Sequence, residues 1–404
     1  MTKRAKTYKI LIEILVLEEG KILSNSYRIP YSKVSIDNNE INAVSECLQS
    51  GWLTTGNRSF EFERQFAKFV GSSYSLAVSS CTAALHLSLV ALGIQKDDEV
   101  ILSPMTFVST ANVIEYCGAK PVFVDIDSHT FNMTAKAIEK AITTRTKAII
   151  VVHYAGHPCD MDEINRIALM HKIPIVEDAA HAIGSVYKNK IIGNSNNLVC
   201  FSFYPTKSMT TGEGGMITTN NEEFIERLKK LRLHGMSKDA WERYGNSRKW
   251  GYDIDCIGYK YNMSDIFASI GIEQLKKIEN FAMKRQNIAD FYDAFFKDLS
   301  DCFVVQSISK DVKHSRFMYL VSLKNKEKRE DFILYLQEHG IQTSVLFTPI
   351  YHYSYYRNKC NINEDNFPVC EDFAQGLICL PIYPLLEFAD LEFICQKIRD
   401  FIFL

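Results

Sequence analysis

The sequence lacks the long apolar run of a membrane helix. Its most tempting stretch, Leu11–Leu17, is interrupted by Glu13 and falls far short of the ~20 residues a bilayer span requires. No small-residue cleavage site follows it, so a secretory signal is not expected, and residues 1–27 read as an N-terminal extension, a surface helix or strand. Charge of one sign is also missing: 46 Lys and Arg against 48 Asp and Glu leave a net charge of −2. That balance gives no reason to expect nucleic acid or an anionic membrane as partner. Disulfide spacing is absent as well. The 11 cysteines are scattered, odd in number and never in a CxxC pair, which favours reduced thiols and a cytoplasmic location. Internal repeats, long linkers and low-complexity tracts are lacking too.

What is present is an ordinary globular composition, 47% hydrophobic and 23% charged over 404 residues. That is enough chain for one large domain and a smaller one. From Tyr74 onward, short β-branched runs alternate with helical patterns. The expected strands are Ser75–Val78, Glu99–Leu102, Pro121–Val124, Ala148–His153, Ile173–Glu177, Val199–Phe203 and Gly215–Thr219, with amphipathic segments such as Thr134–Ile142 and Met161–His171 between them. This alternation predicts an α/β domain with a mostly parallel sheet under helices on both faces. Ligands of such domains bind at the carboxyl ends of strands. After Asp265 comes a long helical stretch, Ile266–Leu299, then strand Phe317–Leu323, helix Lys326–His339, strand Ile341–Phe347 and helix Phe388–Phe403. These predict a large domain over 28–280 and a small α+β domain over 281–404.

The chemistry is concentrated in Ile175-Val176-Glu177-Asp178-Ala179-Ala180-His181 and Phe201-Ser202-Phe203-Tyr204-Pro205-Thr206-Lys207. In each, an apolar strand delivers an acid or a lysine to its C-terminal end, one crossover apart. Pyridoxal phosphate (PLP) needs such a pair: a lysine that links to its aldehyde, and a carboxylate that keeps its pyridine nitrogen protonated. The same lysine, once released, can carry the proton between substrate and cofactor carbons. Alone, an Asp at a strand end is usually a helix cap and a Lys a solvated surface residue. The two together, followed by Thr211-Gly212-Glu213-Gly214-Gly215, are far more specific; the glycines let the backbone approach a ligand and begin the next strand.

Upstream, Val78-Ser79-Ser80-Cys81-Thr82-Ala83 runs from a strand straight into a helix. The amides of Thr82 and Ala83, the helix dipole and the Thr82 hydroxyl suit an anion such as a phosphate, although a plain Ser/Thr cap would look the same. Ser202 can add a hydroxyl. Phe107, just past a strand end, is placed to lie flat on a cofactor ring, although packing in the core is the commoner fate of a Phe. His181 is placed near the cofactor's phenolic oxygen or serves as a structural histidine. His153, His157 and Cys159 match no standard zinc spacing and are read as loop residues, with no metal expected.

These residues, in this order, resemble the DegT/StrS group of nucleotide-sugar aminotransferases. Gly51-Trp52-Leu53-Thr54-Thr55-Gly56, Val152-His153-Tyr154-Ala155-Gly156, Arg232-Leu233-His234-Gly235 and Gly258-Tyr259-Lys260-Tyr261-Asn262 carry the resemblance further. It runs from about Ile29 to the C-terminus. Within the group the chain is similar to enzymes that aminate C4 of UDP-linked 4-keto sugars. Thr348-Pro349-Ile350-Tyr351 is like the pseudaminic acid branch; Asp239-Ala240-Trp241 and Gly258–Asn262 are like the 4-amino-arabinose branch.

The resemblance implies a fold type I PLP-dependent transferase, working as a homodimer whose active sites draw on both chains. It puts Lys207 at the covalent cofactor link, Asp178 at the pyridine nitrogen and Phe107 on the ring. Thr82, Ala83 and Ser202 form the phosphate cup, with Asn262 reaching the phosphate of the neighbouring subunit. Tyr31, Gly51, Trp52, Leu53, Thr54, Cys81, Ser202, Asn262, Thr348, Pro349, Ile350 and Tyr351 fall on sugar and nucleotide contacts. Tyr204, where relatives often carry histidine, and His157, often small or polar, are departures that bear on substrate choice. The implied reaction takes an amino group, by family habit from L-glutamate, and gives it to the keto sugar. A keto-sugar dehydratase on the same fold would have histidine in place of Lys207, and a non-catalytic PLP-binding regulator would not need the intact set.

Overall fold

The computed structural model describes residues 27–236, 251–360 and 362–403. The segment Asp239-Ala240-Trp241 and nearly all of the N-terminal extension lie outside these described residues. A seven-stranded sheet forms the centre of the larger part. Its strands are β1 (Tyr74–Val78), β2 (Glu99–Leu102), β3 (Lys120–Phe123), β4 (Thr146–Val152), β5 (Ile175–Asp178), β6 (Leu198–Ser202) and β7 (Gly215–Thr219), in spatial order β1-β7-β6-β5-β4-β2-β3. All neighbouring pairs are parallel except those of β7, which runs antiparallel to both β1 and β6. Six strands therefore point the same way. The carboxyl ends of β1, β2, β5 and β6 share one edge, and the loops after them converge there.

Helices α1 (Asn38–Ser50), α2 (Asn57–Val70), α3 (Cys81–Ala91), α4 (Val108–Tyr116), α5 (Ala135–Ala141), α6 (Met161–His171) and α7 (Glu222–Arg232) pack around this sheet. The central strands β5 and β6 are buried along their whole length, as continuous apolar runs under helices on both faces must be. In β6 the alternation of side chains decides what faces the site. Phe201, and Phe203 just past the strand, join Phe62 and Phe66 of α2 in an aromatic cluster with centroids 5.0–5.5 Å apart. Cys200 and Ser202 point to the opposite face.

Helix α8 (Asp265–Lys297) is 33 residues long and capped by the Ser264 hydroxyl. Its first half packs against α1 and α2. Ile288, Ala289, Tyr292 and Phe296 in its second half belong to a separate apolar core. That core includes a three-stranded antiparallel sheet of β8 (Phe303–Val305), β9 (Tyr319–Leu323) and β10 (Leu377–Leu380), with α9 (Arg329–Glu338) and α10 (Phe388–Ile402) beside it. Ile29 enters this second core from the N-terminal side, and residue 280 lies inside α8.

The segment expected as a strand at Ile341–Phe347 is not one. It makes two isolated bridges, Ile341 with Ile29 and Ser344 with Cys379. Beyond Ser344 the chain turns from the sheet and carries Phe347 toward His181. All 11 cysteines are free, and no helix among the described residues is long and apolar enough to cross a membrane.

Candidate active site

Asp178 ends β5 and is 5% exposed. Its Oδ2 accepts from the Thr110 hydroxyl at 2.8 Å, and its Oδ1 from the Ala180 amide at 3.1 Å. Burial pushes its carboxyl above the usual range, and Thr110, the Ala180 amide and Lys207 offset only part of that. A carboxylate so placed gains most from a cation brought directly to it, such as a protonated pyridine nitrogen. Lys207 follows β6 through the turn Tyr204–Lys207, closed by its own amide on Tyr204 O at 2.9 Å. Burial lowers its amine from 10.5 to about 8, against the opposing pull of Asp178 and Cys81. Its Nζ lies 4.6 Å from the centre of the Phe317 ring.

An aromatic wall stands around the lysine. His181 stacks on Phe317 at 4.6 Å and lies near-parallel to Phe347 at 5.9 Å; Phe347 also contacts Phe107 at 5.8 Å. His181 Nδ1 is buried and has no hydrogen-bond partner among the described residues. Burial, then Lys207, hold this imidazole well below the ordinary histidine range, so it is neutral. A neutral, orphaned ring nitrogen in an apolar wall fits an oxygen substituent of an aromatic cofactor. Phe107 itself is 55% exposed, an open face at the N-cap of α4.

At the start of α3 the Ser80 hydroxyl accepts the Ala83 amide at 3.0 Å. The helix thus already has its own cap there, while Ser202 lies buried at the end of β6. Gly215 explains why this turn tolerates no side chain opposite it: a Cβ would stand 2.5 Å from Ser80 C and 2.7 Å from Cys81 N. The close approach of Gly215 is to the turn that begins α3. Cys81 is buried beside Asp178 and Lys207, and the neighbouring carboxylate adds to the burial that pushes its thiol up.

Thr55, directly after the Gly51–Thr54 segment, is fastened to Asn262. Asn262 Nδ2 donates to Thr55 Oγ1 at 2.7 Å, and Thr55 Oγ1 donates to Met263 O at 2.6 Å. Buried Asp265 accepts from Gly56 N and Ser59 N at the head of α2. Gly51 has φ +72°, the left-handed cap of α1, and Trp52 Nε1 donates to Thr55 O at 3.1 Å. Leu53 and Thr54 are exposed. Tyr31 is held by its amide on Gln342 Oε1 at 3.0 Å. Thr348 is half-buried, whereas Pro349, Ile350 and Tyr351 are buried, Tyr351 stacked on Phe367 at 4.8 Å.

His153 and His157 have protein partners. His153 Nε2 lies 3.0 Å from Glu177 Oε2, and its Nδ1 accepts the Cys159 amide at 3.1 Å. Glu177 is also bound by Asn197 and Ser195; these contacts outweigh burial and hold it below the usual carboxylate range. His157 Nδ1 meets Pro158 O at 2.7 Å, and its Nε2 accepts the Ser309 amide at 3.2 Å. Sequence reasoning did not single out Thr110, Phe317 or Phe347. Thr110 lies one turn beyond Phe107 in α4, so helical spacing held a signal. The two phenylalanines come from the far C-terminal part, where nothing local marks them.

The arrangement fits PLP on the chemistry of its groups: an amine with lowered pKa, a buried acid, a free aromatic face and an orphaned imidazole nitrogen. The DegT/DnrJ/EryC1/StrS aminotransferase family model matches residues 34–399. The spore coat polysaccharide biosynthesis protein SpsC of Bacillus subtilis is 40% identical over 385 residues, covering 94% of this chain and 99% of that one. GDP-perosamine synthase of Escherichia coli O157:H7 is 37% identical, covering 92% and 98%. Among solved structures, Spr1654 of Streptococcus pneumoniae, a proposed sugar aminotransferase in its PLP form, superposes with a TM-score of 0.86 at 32% identity, over 93% of this chain and 98% of that one. This chain therefore belongs to the DegT/DnrJ/EryC1/StrS aminotransferase family, as a PLP-dependent sugar aminotransferase of nucleotide-sugar biosynthesis with the fold type I architecture.

Proposed function

We propose that this enzyme moves the amino group of L-glutamate to C4 of a UDP-linked 4-keto sugar, in the cytosol and as a homodimer with shared active sites. The observation that carries the aminotransferase chemistry is Lys207, its amine lowered to about 8, beside buried Asp178. When bound, PLP supplies an electron sink for the substrate carbon that carries nitrogen.

The chain's own groups do the rest. Lys207 Nζ is the amine that would hold the cofactor aldehyde, and its pKa, lowered to about 8, would suit it to take a proton from the donor carbon and return one to the sugar carbon. Asp178 would keep the pyridine nitrogen protonated, with Thr110 holding the carboxylate in place. His181, Phe317 and Phe347 exclude water from the lysine side. Thr82, Ala83 and Ser202 are assigned to the phosphate, with Asn262 contributing across the dimer. The Gly51–Thr54 segment, Tyr31, Cys81 and Thr348–Tyr351 are assigned to the nucleotide sugar, Pro349–Tyr351 shaping its wall from within. GDP-perosamine synthase is similar enough to make the nucleotide the first thing to test.

Incubating the protein with L-glutamate and a panel of UDP- and GDP-linked 4-keto sugars, and following 2-oxoglutarate, is that test. Release that depends on a UDP-4-keto sugar supports the reading. Release beyond the one equivalent of the donor half-reaction with GDP sugars alone, or with no sugar of the panel, overturns the substrate assignment.

A further inference from the structure

After Tyr351 the chain makes an excursion away from the lysine. The turn Ile350–His352 leads into the helix Ser354–Cys360, and the chain returns through the turn Glu364–Asn366 to the helix Pro368–Gly376. Two contacts tie the first of these helices to α4: the Tyr356 hydroxyl donates to Asn112 Oδ1 at 2.6 Å, and Lys359 pairs with Glu115. The outgoing and returning ends meet at Glu371. His352 Nε2 lies 2.9 Å from Glu371 Oε1 and 3.7 Å from Glu364 Oε1. One ligand atom from each of the three residues falls within 4.8 Å of the others, and no other three His, Cys, Asp or Glu side chains converge in this way among the described residues.

The charges in this group do not balance. Two carboxylates face one imidazole nitrogen, so even a protonated ring leaves a negative charge over, and neither glutamate pairs with a Lys or Arg among the described residues. A fourth polar group stands at the same place. Tyr351 is 1% exposed, its hydroxyl is buried with no hydrogen-bond partner among the described residues, and Cys370 and Glu371 are its polar neighbours. A buried hydroxyl left without a partner calls for a bound group that accepts or donates.

The spacing and the donor types fit one kind of ligand. A tetrahedral ion with bonds of about 2.1 Å holds its ligand atoms about 3.4 Å apart. The two separations measured from His352, 2.9 and 3.7 Å, lie on either side of that value. An imidazole with two carboxylates suits zinc and its neighbours, whereas calcium requires six to eight oxygens. Three protein ligands leave a fourth position for water, and such a water is a partner for the Tyr351 hydroxyl.

We infer that His352, Glu364 and Glu371 form a binding site for a divalent ion of the zinc class, which clasps both ends of the excursion to the helix Pro368–Gly376. The ion's role is structural, and it takes no part in the amino transfer. The site stands on these three side chains and does not depend on which sugar is aminated.

The test is a titration of the chelator-treated holoenzyme with Co(II), whose visible d–d bands report its ligands. One Co(II) should bind per chain, raise the thermal midpoint and be displaced by an equal amount of Zn(II). Losing a ligand costs at least as much as losing a ligand's supporting partner, roughly tenfold in affinity. Glu364→Gln, at a side chain 51% exposed, should therefore weaken Co(II) by that factor or more while the protein folds as before. His352→Gln should abolish the d–d bands. No stoichiometric uptake by the wild type, or equal affinity in wild type and Glu364→Gln, overturns the site. So does a thiolate-to-cobalt charge-transfer band, which would put the ion on cysteines.

Discussion

Burial does most of the chemical tuning at Lys207, and its sign fixes a pH dependence. Only the neutral amine attacks an aldehyde; with the amine at about 8, the protonated form dominates below that pH and the neutral form above it. The rate at which cofactor-free protein takes up PLP should therefore rise with pH and level off just above 8, read by stopped-flow absorbance. A lysine at its ordinary 10.5 would keep accelerating well beyond that point. Asp178 is tuned the other way, upward, by the same burial. Asp178→Asn should cost roughly 3–5 kcal/mol of the stabilisation of a protonated partner, as breaking a buried charge pair does, and slow the donor half-reaction more than a hundredfold. Thr110→Val, which removes one hydrogen bond to that carboxylate, should act in the same direction by about 1.5–3 kcal/mol, measured as weaker cofactor retention.

The elements place these residues through periodicity. At the end of β6 the alternation sends Phe201, and Phe203 just beyond it, to the α2 cluster and Ser202 to the opposite face, so the position of the serine depends on aromatic packing behind it. Phe66→Ala should lower stability by about 3–5 kcal/mol, seen as a large fall in the thermal midpoint. Much of this was legible beforehand: β-branched runs ending in Asp178 or before Lys207 read as strands because buried parallel strands are continuous apolar runs. The direction of β7 was not legible, since antiparallel pairing leaves no mark on so short a strand. Ile341–Phe347 has strand composition, yet composition cannot reveal that its hydrogen bonds go to isolated partners at Ile29 and Cys379. Phe317 and Phe347 were hidden for a related reason: their role exists only once the C-terminal part folds over the lysine.

Over the whole molecule, six co-directional strands gather the loops of one sheet edge, and α8 joins that edge to the second core. The active site proposed to be shared between two chains makes a specific prediction for Asn262. Mixing Lys207→Ala and Asn262→Ala chains and letting them re-associate should restore about a quarter of wild-type activity, since half the dimers become mixed and each of those has one unaltered site. Independent sites would restore none. The central claim, though, concerns one nitrogen. Reducing the PLP-loaded protein with borohydride and sequencing its labelled peptide should find the pyridoxyl group on Lys207 and on no other lysine; a label on any other residue, or no label, would contradict the account.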